Sequence, residues 1–199
     1  MELGEKHPKR IHPEKKGVRV FGVAESFTKN STFSTLGGVV LRRDMLIDGV
    51  VLGRALVGGD DATKQIISMF RKLDRSDVNC IMINGLIISL YNVVAGEEIL
   101  ETTGIPVIGV TYKDSQGIED RFFDRFARSE AIRRVEAYRK LGNRERITLK
   151  TGMAAYIRSW GMSSAKSLHI LNSFIKQGKI PEPLRIARLV SRAARTFSS

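Results

Sequence analysis

Residues 36–57 read LGGVVLRRDMLIDGVVLGRALV, and this stretch decides the fold. Two apolar runs, 36–41 and 45–57, are joined by the short polar connection Arg42-Arg43-Asp44, which predicts an antiparallel hairpin. Gly49 and Gly53 inside the second run mark a bulge or a close backbone approach. Upstream, the apolar run 18–24 reads as a buried strand, separated from the hairpin by the polar turn 30–35. Downstream, Gly59-Asp60-Asp61-Ala62-Thr63 changes the rhythm: Ala62, Ile66, Ile67, Met69, Phe70 and Leu73 recur at helical spacing. Two adjacent carboxylates where a helix opens beyond a strand end suit a divalent-metal site, and they equally suit a helix N-cap.

Residues 78–83 are continuously apolar, as expected of a strand covered on both faces. Residues 86–100 read as mostly helical, ending near Gly104, and 105–110 as another buried strand. Residues 117–141 hold one or two basic helices, carrying Arg121, Arg125, Arg128, Arg133, Arg134 and Arg139. A short alternating strand follows at 146–150 and a helix at 163–176, stopped by Gly178. Pro181-Glu182-Pro183 opens a last helix to about residue 197. Three strands, helix, strand, helix, strand and a mostly helical remainder make a mixed sheet with helices on its faces. A ribonuclease-H-like α/β fold has this order; on pattern alone flavodoxin-like variants stay open, the hairpin at the front being the one discriminator.

The 199 residues suffice for one core. We expect residues 1–17, with His7-Pro8 and His12-Pro13, to be a mobile N-terminal arm and 18–199 to be a single domain. No apolar run reaches the roughly 18 residues a membrane helix needs, which argues against a membrane partner. The N-terminal stretch is Lys-rich without a following apolar segment, so no secretory signal is expected. The lone Cys80 has no disulfide partner and sits mid-strand as a core residue, which predicts a reducing, cytoplasmic setting. Net charge is +12, and its placement is uneven. Residues 1–120 hold 15 basic and 16 acidic side chains, whereas residues 121–199 hold 18 and 5. Such asymmetry favours a polyanionic partner, nucleic acid above all; a charged surface of the thermostable type is the plainer reading.

Residues 18–27, 59–63, 81–94, 104–110 and 180–190 together resemble the archaeal family related to endonuclease V, whose members are described as endonuclease dU. The most specific pieces are Gly59-Asp60-Asp61-Ala62-Thr63 and Ile180-Pro181-Glu182-Pro183-Leu184-Arg185-Ile186-Ala187. The resemblance implies a ribonuclease-H-like fold and metal-dependent cleavage of DNA near a deaminated base. It also implies departures where the chemistry would sit. Ala24 and Glu25 stand where the family has two aspartates, and Asn84-Gly85 stands for Asp-Gly. Ala95 replaces an aspartate and Arg188 a histidine.

An endonuclease of this class needs two or three carboxylates around Mg²⁺ or Mn²⁺ to activate water and stabilise the leaving oxygen. Glu25, Asp60 and Asp61 are the candidate catalytic residues and, with Asn84, the candidate metal ligands, in one shared pocket. Asn84 brings a neutral oxygen and so weakens the site. Nucleic-acid contacts are expected from Arg121, Arg125, Arg128, Arg158, Trp160, Arg185 and Arg188. Trp160 in a loop suits stacking on an unpaired base, against the alternative of burial on the sheet. His169 reads as an ordinary helix residue, and no His/Cys spacing suits zinc. The reading that results is a DNA-binding protein, RNA remaining open, whose metal site is partly degraded and whose cleavage is weakened or lost. An active endonuclease and a non-catalytic protein–protein scaffold are the alternatives, and a homodimer is open.

Overall fold

The computed structural model describes residues 17–197, so the predicted arm, apart from Gly17, lies outside the described residues. The chain opens with β1 (Arg19–Ser26), β2 (Phe33–Arg42), β3 (Ile47–Leu56), α1 (Ala62–Lys72) and β4 (Cys80–Asn84). A small β5 (Ile87–Ile88) and β6 (Asn92–Val93) follow, then α2 (Gly96–Thr103), β7 (Val107–Thr111), α3 (Glu119–Arg125) and α4 (Arg128–Lys140). The last part is β8 (Glu145–Thr148), β9 (Ala154–Trp160), α5 (Ser164–Ser173) and α6 (Glu182–Phe197). Seven strands form one mixed sheet in the order β3-β2-β1-β4-β7-β9-β8. β1, β4 and β7 run parallel; every other neighbouring pair is antiparallel.

The period-2 pattern of the central strands fills two core layers. Phe21, Val23, Ile81, Ile83 and Val107 face α1 and α2, meeting Ile66, Met69 and Ile99. Val20, Met82, Ile108, Val110 and Ile157 face the opposite side, meeting Ile170, Leu171 and Phe174 of the α5 region and Leu184 of α6. The front hairpin forms as predicted, and the two glycines of β3 take the two readings proposed for them. Gly49 borders a bulge, where Val40 pairs with Gly49 but Leu41 with Ile47, leaving Asp48 as the extra residue. Gly53 lets Met69 of α1 approach, because a Cβ there would lie 2.5 Å from its sulfur.

Two expectations are corrected. Residues 86–100 are not mostly helical: the β5–β6 hairpin takes the first half, and α2 begins only at Gly96. The apolar run Leu86-Ile87-Ile88 resembles a helix face in sequence, but the backbone reverses at Ser89, Leu90 and Tyr91, all with positive φ. Residues 156–160 are not a loop but most of β9, which pairs with β7 through Ile108↔Ser159 and Val110↔Ile157. Alternation of buried Ala155 and Ile157 with less buried neighbours carried that strand.

Helix α6 lies directly on β1 and β2. A Cβ at Gly22 would stand 2.6 Å from the Pro183 carbonyl carbon, and one at Gly37 would stand 2.4 Å from the Ala187 carbonyl oxygen. These contacts are to backbone, which cannot swing aside. Gly37→Val should therefore lower stability by about 1–3 kcal/mol or more. Exposed Leu189→Ala on the outer face of the same helix should stay within about 0.5 kcal/mol of the parent. Urea midpoints at constant slope measure both.

Candidate nucleic-acid cleft

Parallel neighbours finish on the same side of a sheet, and ligands settle outside those carboxyl ends. Glu25, the penultimate residue of β1, and Asn84 and Thr111, the last residues of β4 and β7, line one cleft of about 830 Å³. The Glu25 carboxylate is held on one oxygen. Ser34 Oγ donates to Oε2 at 2.9 Å, and Ser89 donates both its N–H and its Oγ to the same atom at 2.7 Å. Both serines are fully buried, so Oε2 is spent inside the protein.

Ser89 reaches Glu25 because its loop is bent the uncommon way. Ser89, Leu90 and Tyr91 have φ of 46°, 58° and 72°, a left-handed run without glycine. Gly58 N–H donates to Ser89 O at 2.6 Å. Buried Arg134 of α4 then fastens both segments. Its Nη1 donates to Gly59 O at 2.8 Å and Tyr91 O at 2.9 Å, and its Nη2 to Gly58 O at 2.7 Å. Glu130 Oε1 accepts from Nε and Nη2 at 3.0 and 2.8 Å, and the Phe126 ring lies 4.0 Å from the guanidinium carbon.

The two aspartates go elsewhere. Asp61 occupies the N-cap position of α1 but makes no side-chain cap bond. Its carboxylate instead accepts the Leu56 N–H at 3.0 and 3.3 Å and the Asn92 amide at 2.8 Å. Asn92 Oδ1 takes over the cap, accepting Ala62 N–H at 3.1 Å. Asp60 pairs with Arg133 at 2.7 Å and lines a separate cavity of about 570 Å³. The hydrogen bond and charge of Arg133 hold the Asp60 carboxyl below the usual range.

The predicted convergence of Glu25, Asp60, Asp61 and Asn84 is thus divided. Glu25 and Asn84 share the cleft; Arg133 draws Asp60 aside, and Asn92 with Leu56 turns Asp61 back to the end of β3. Among the described residues no three Asp, Glu, His or Cys side chains group closely enough to hold a metal ion. One carboxylate with a saturated oxygen and one neutral amide do not fit a resident Mg²⁺ or Mn²⁺ site.

The basic residues divide as well. Arg121, Arg158 and Arg188 line the cleft, joined by Lys113, Arg144 and Lys179, which the sequence reading missed. Lys113 and Arg144 lie between regular elements and carry no periodic signal. Arg125 and Arg128 are exposed in α3 and α4 and do not line it. Arg185 is engaged with Glu182 at 2.8 Å. Trp160 is half-buried: it packs on Gly96, where a Cβ would stand 2.3 Å from the indole, and borders the Asp60 cavity rather than the Glu25 cleft. His169 is exposed on α5, and burial pushes the Cys80 thiol up out of reach of ionisation. Tyr112 lines the cleft with a buried hydroxyl that lacks a hydrogen-bond partner; burial pushes its pKa up, opposed by the charge of Arg188.

The family model for endonuclease dU matches residues 16–195. The chain belongs to the endonuclease dU family. A relative from Pyrobaculum calidifontis, described only as a UPF0215 protein, is 36% identical over 177 residues, covering 89% of this chain and 97% of the relative. The crystal structure of a protein of unknown function from Archaeoglobus fulgidus superposes with a TM-score of 0.76 at 23% identity, covering 89% of this chain and 98% of that one. The endonuclease V of Ciona intestinalis, solved with a 24mer DNA containing an inosine followed by a ribo-adenosine, superposes with a TM-score of 0.60 at 18% identity, covering 92% and 88%. These likenesses establish the ribonuclease-H-like fold for this member of the endonuclease dU family. Among its described residues no helix is long and apolar enough to cross a membrane.

Removing Arg134 should expose how much the site depends on it. Arg134→Met leaves three carbonyls and Glu130 without their donor and should cost about 3–5 kcal/mol. Arg133→Ala breaks only an exposed pair and should cost less than about 1 kcal/mol. The Asp60 pKa is depressed in the folded state, so that smaller contribution is present at neutral pH and fades as pH falls through the folded value. Urea unfolding at pH 7 and at progressively lower pH should show an Arg133→Ala deficit that is full at pH 7 and shrinks below the ordinary carboxylate range.

Proposed function

We propose that this protein is an endonuclease V-like nucleic-acid-binding protein, DNA being its first candidate partner, whose cleavage activity is weakened or lost. One observation carries the reading: the cleft at the carboxyl ends of β1, β4 and β7 is lined by six cations and a single carboxylate, Glu25. Six positive charges attract phosphates and supply affinity without sequence choice. A single carboxylate, committed on one oxygen to Ser34 and Ser89, leaves little negative charge to retain Mg²⁺ or Mn²⁺. The neutral amide of Asn84 adds an oxygen but no charge. Any divalent ion in such a cleft would lean on phosphate oxygens of the nucleic acid for most of its negative ligands.

Deoxyuridine- and inosine-containing DNA with Mg²⁺ or Mn²⁺ tests this directly. We expect binding that weakens steeply as salt rises from 50 to 200 mM, with little or no strand cleavage. Multiple-turnover cleavage abolished by Glu25→Gln would overturn the loss of activity and make the protein an active endonuclease. Absence of binding at low salt would overturn the nucleic-acid reading and leave the scaffold.

A further inference from the structure

Arg144 and Arg158 stand where the Glu25 cleft meets an adjoining cavity of about 1050 Å³, and both line both spaces. Each is held mainly by neutral groups, which fix its place without cancelling its charge. Arg144 donates to the carbonyls of Lys113, at 3.1 Å, and Ser115, and lies 5.1 Å over the Tyr156 ring. Arg158 donates through Nε to Gly142 O at 2.7 Å and lies 5.5 Å over the Tyr138 ring. The nearby carboxylate, Asp114, is 3.7 Å from Arg144 and 81% exposed, so it neutralises little. Arg158 has no carboxylate partner among the described residues. Burial pushes the Arg158 pKa down; a hydrogen bond to Tyr138 opposes that shift, and the Arg144 charge adds a smaller push downward. A guanidinium nevertheless stays protonated at neutral pH, so an anion placed between the two side chains would relieve the repulsion.

We propose that Arg144 and Arg158 form a phosphate subsite, their two forks closing on one phosphate group of a bound strand beside Glu25 and Asn84. Guanidinium forks match tetrahedral oxyanions through paired N–H···O bonds, and aromatic faces hold them flat so that little side-chain freedom is lost on binding. The adjoining cavity is lined by five arginines, Arg121, Arg139 and Arg146 among them, against three carboxylates, Asp114, Glu119 and Asp120, so its lining remains net positive and suits further phosphates of a strand. The proposal extends the nucleic-acid reading of the cleft, but the subsite itself stands on the geometry of these two side chains.

The test uses the full chain with three variants, Arg144→Gln, Arg158→Gln and Arg158→Lys, each checked for wild-type near-ultraviolet dichroism. Two probes are titrated: inorganic phosphate by calorimetry, and a fluorescent 12-nucleotide single strand with or without a 5′-phosphate. Each Gln variant should weaken strand binding about tenfold. The salt slope should fall by about 0.7, one phosphate contact on a single strand. Arg158→Lys should keep the slope yet lose affinity, because it retains the charge without the fork. A 5′-phosphate that tightens wild-type binding but not Arg158→Gln binding assigns the subsite to a terminal monoester; equal affinities assign an internal diester. Folded Gln variants with wild-type affinity and slope overturn the subsite while sparing the nucleic-acid reading. Saturable phosphate binding that both Gln variants lose, without strand binding by wild type, does the reverse. Should Arg144→Gln fail to fold, the two Arg158 variants decide.

Discussion

The guanidinium of Arg134 is the contact on which the cleft depends. It joins three backbone carbonyls from two separate segments and one carboxylate, with an aromatic ring beneath it. A buried arginine is costly to desolvate, and the cost is recovered only when its donors are matched. That matching also supports strain. Three consecutive non-glycine residues in the left-handed region cost roughly 3–6 kcal/mol at 1–2 each. The bend so maintained lets Ser89 aim two donors at Glu25, which would otherwise be an ordinary strand-end carboxylate. A side chain on a helix far along the chain thereby sets the orientation of the single acid in the cleft.

Electrostatics at this edge of the sheet favour holding phosphate over holding metal. A divalent cation competes with six fixed cations for a site offering one carboxylate and one amide oxygen. On the proposed reading a nucleic acid would meet only Glu25 in opposition, since its phosphates carry the sign that the six cations attract. The endonuclease dU family and the ribonuclease-H-like fold account for where the cleft lies. The particular residues of this chain, Glu25, Asn84 and Arg188 among them, account for its sign.

Much of the fold was legible because its signals are local. The Arg42-Arg43-Asp44 connection, the helical spacing from Ala62 to Leu73 and the stop at Gly178 each report on a few neighbouring residues. Failures came where distant groups overrode local pattern. The Leu86-Ile87-Ile88 run looks helical until a remote arginine and a glycine N–H stabilise a reversal three residues later. Asp61 looks like a helix cap until Asn92 takes that bond and Leu56 offers another. β9 was legible in its alternation and was missed; no remote contact is needed to read it.

The front hairpin, the central strands and the charge imbalance of residues 121–199 follow from the sequence alone, because propensity, periodicity and composition are properties of contiguous residues. Which acids meet, which arginines stand uncompensated and which way the Ser89 loop bends were decided by the tertiary structure. Many of those outcomes rest on hydrogen bonds between distant residues, Ala62 to Asn92 30 positions apart and Arg134 to Gly58 76 apart among them, and these form only after the sheet has brought the segments together.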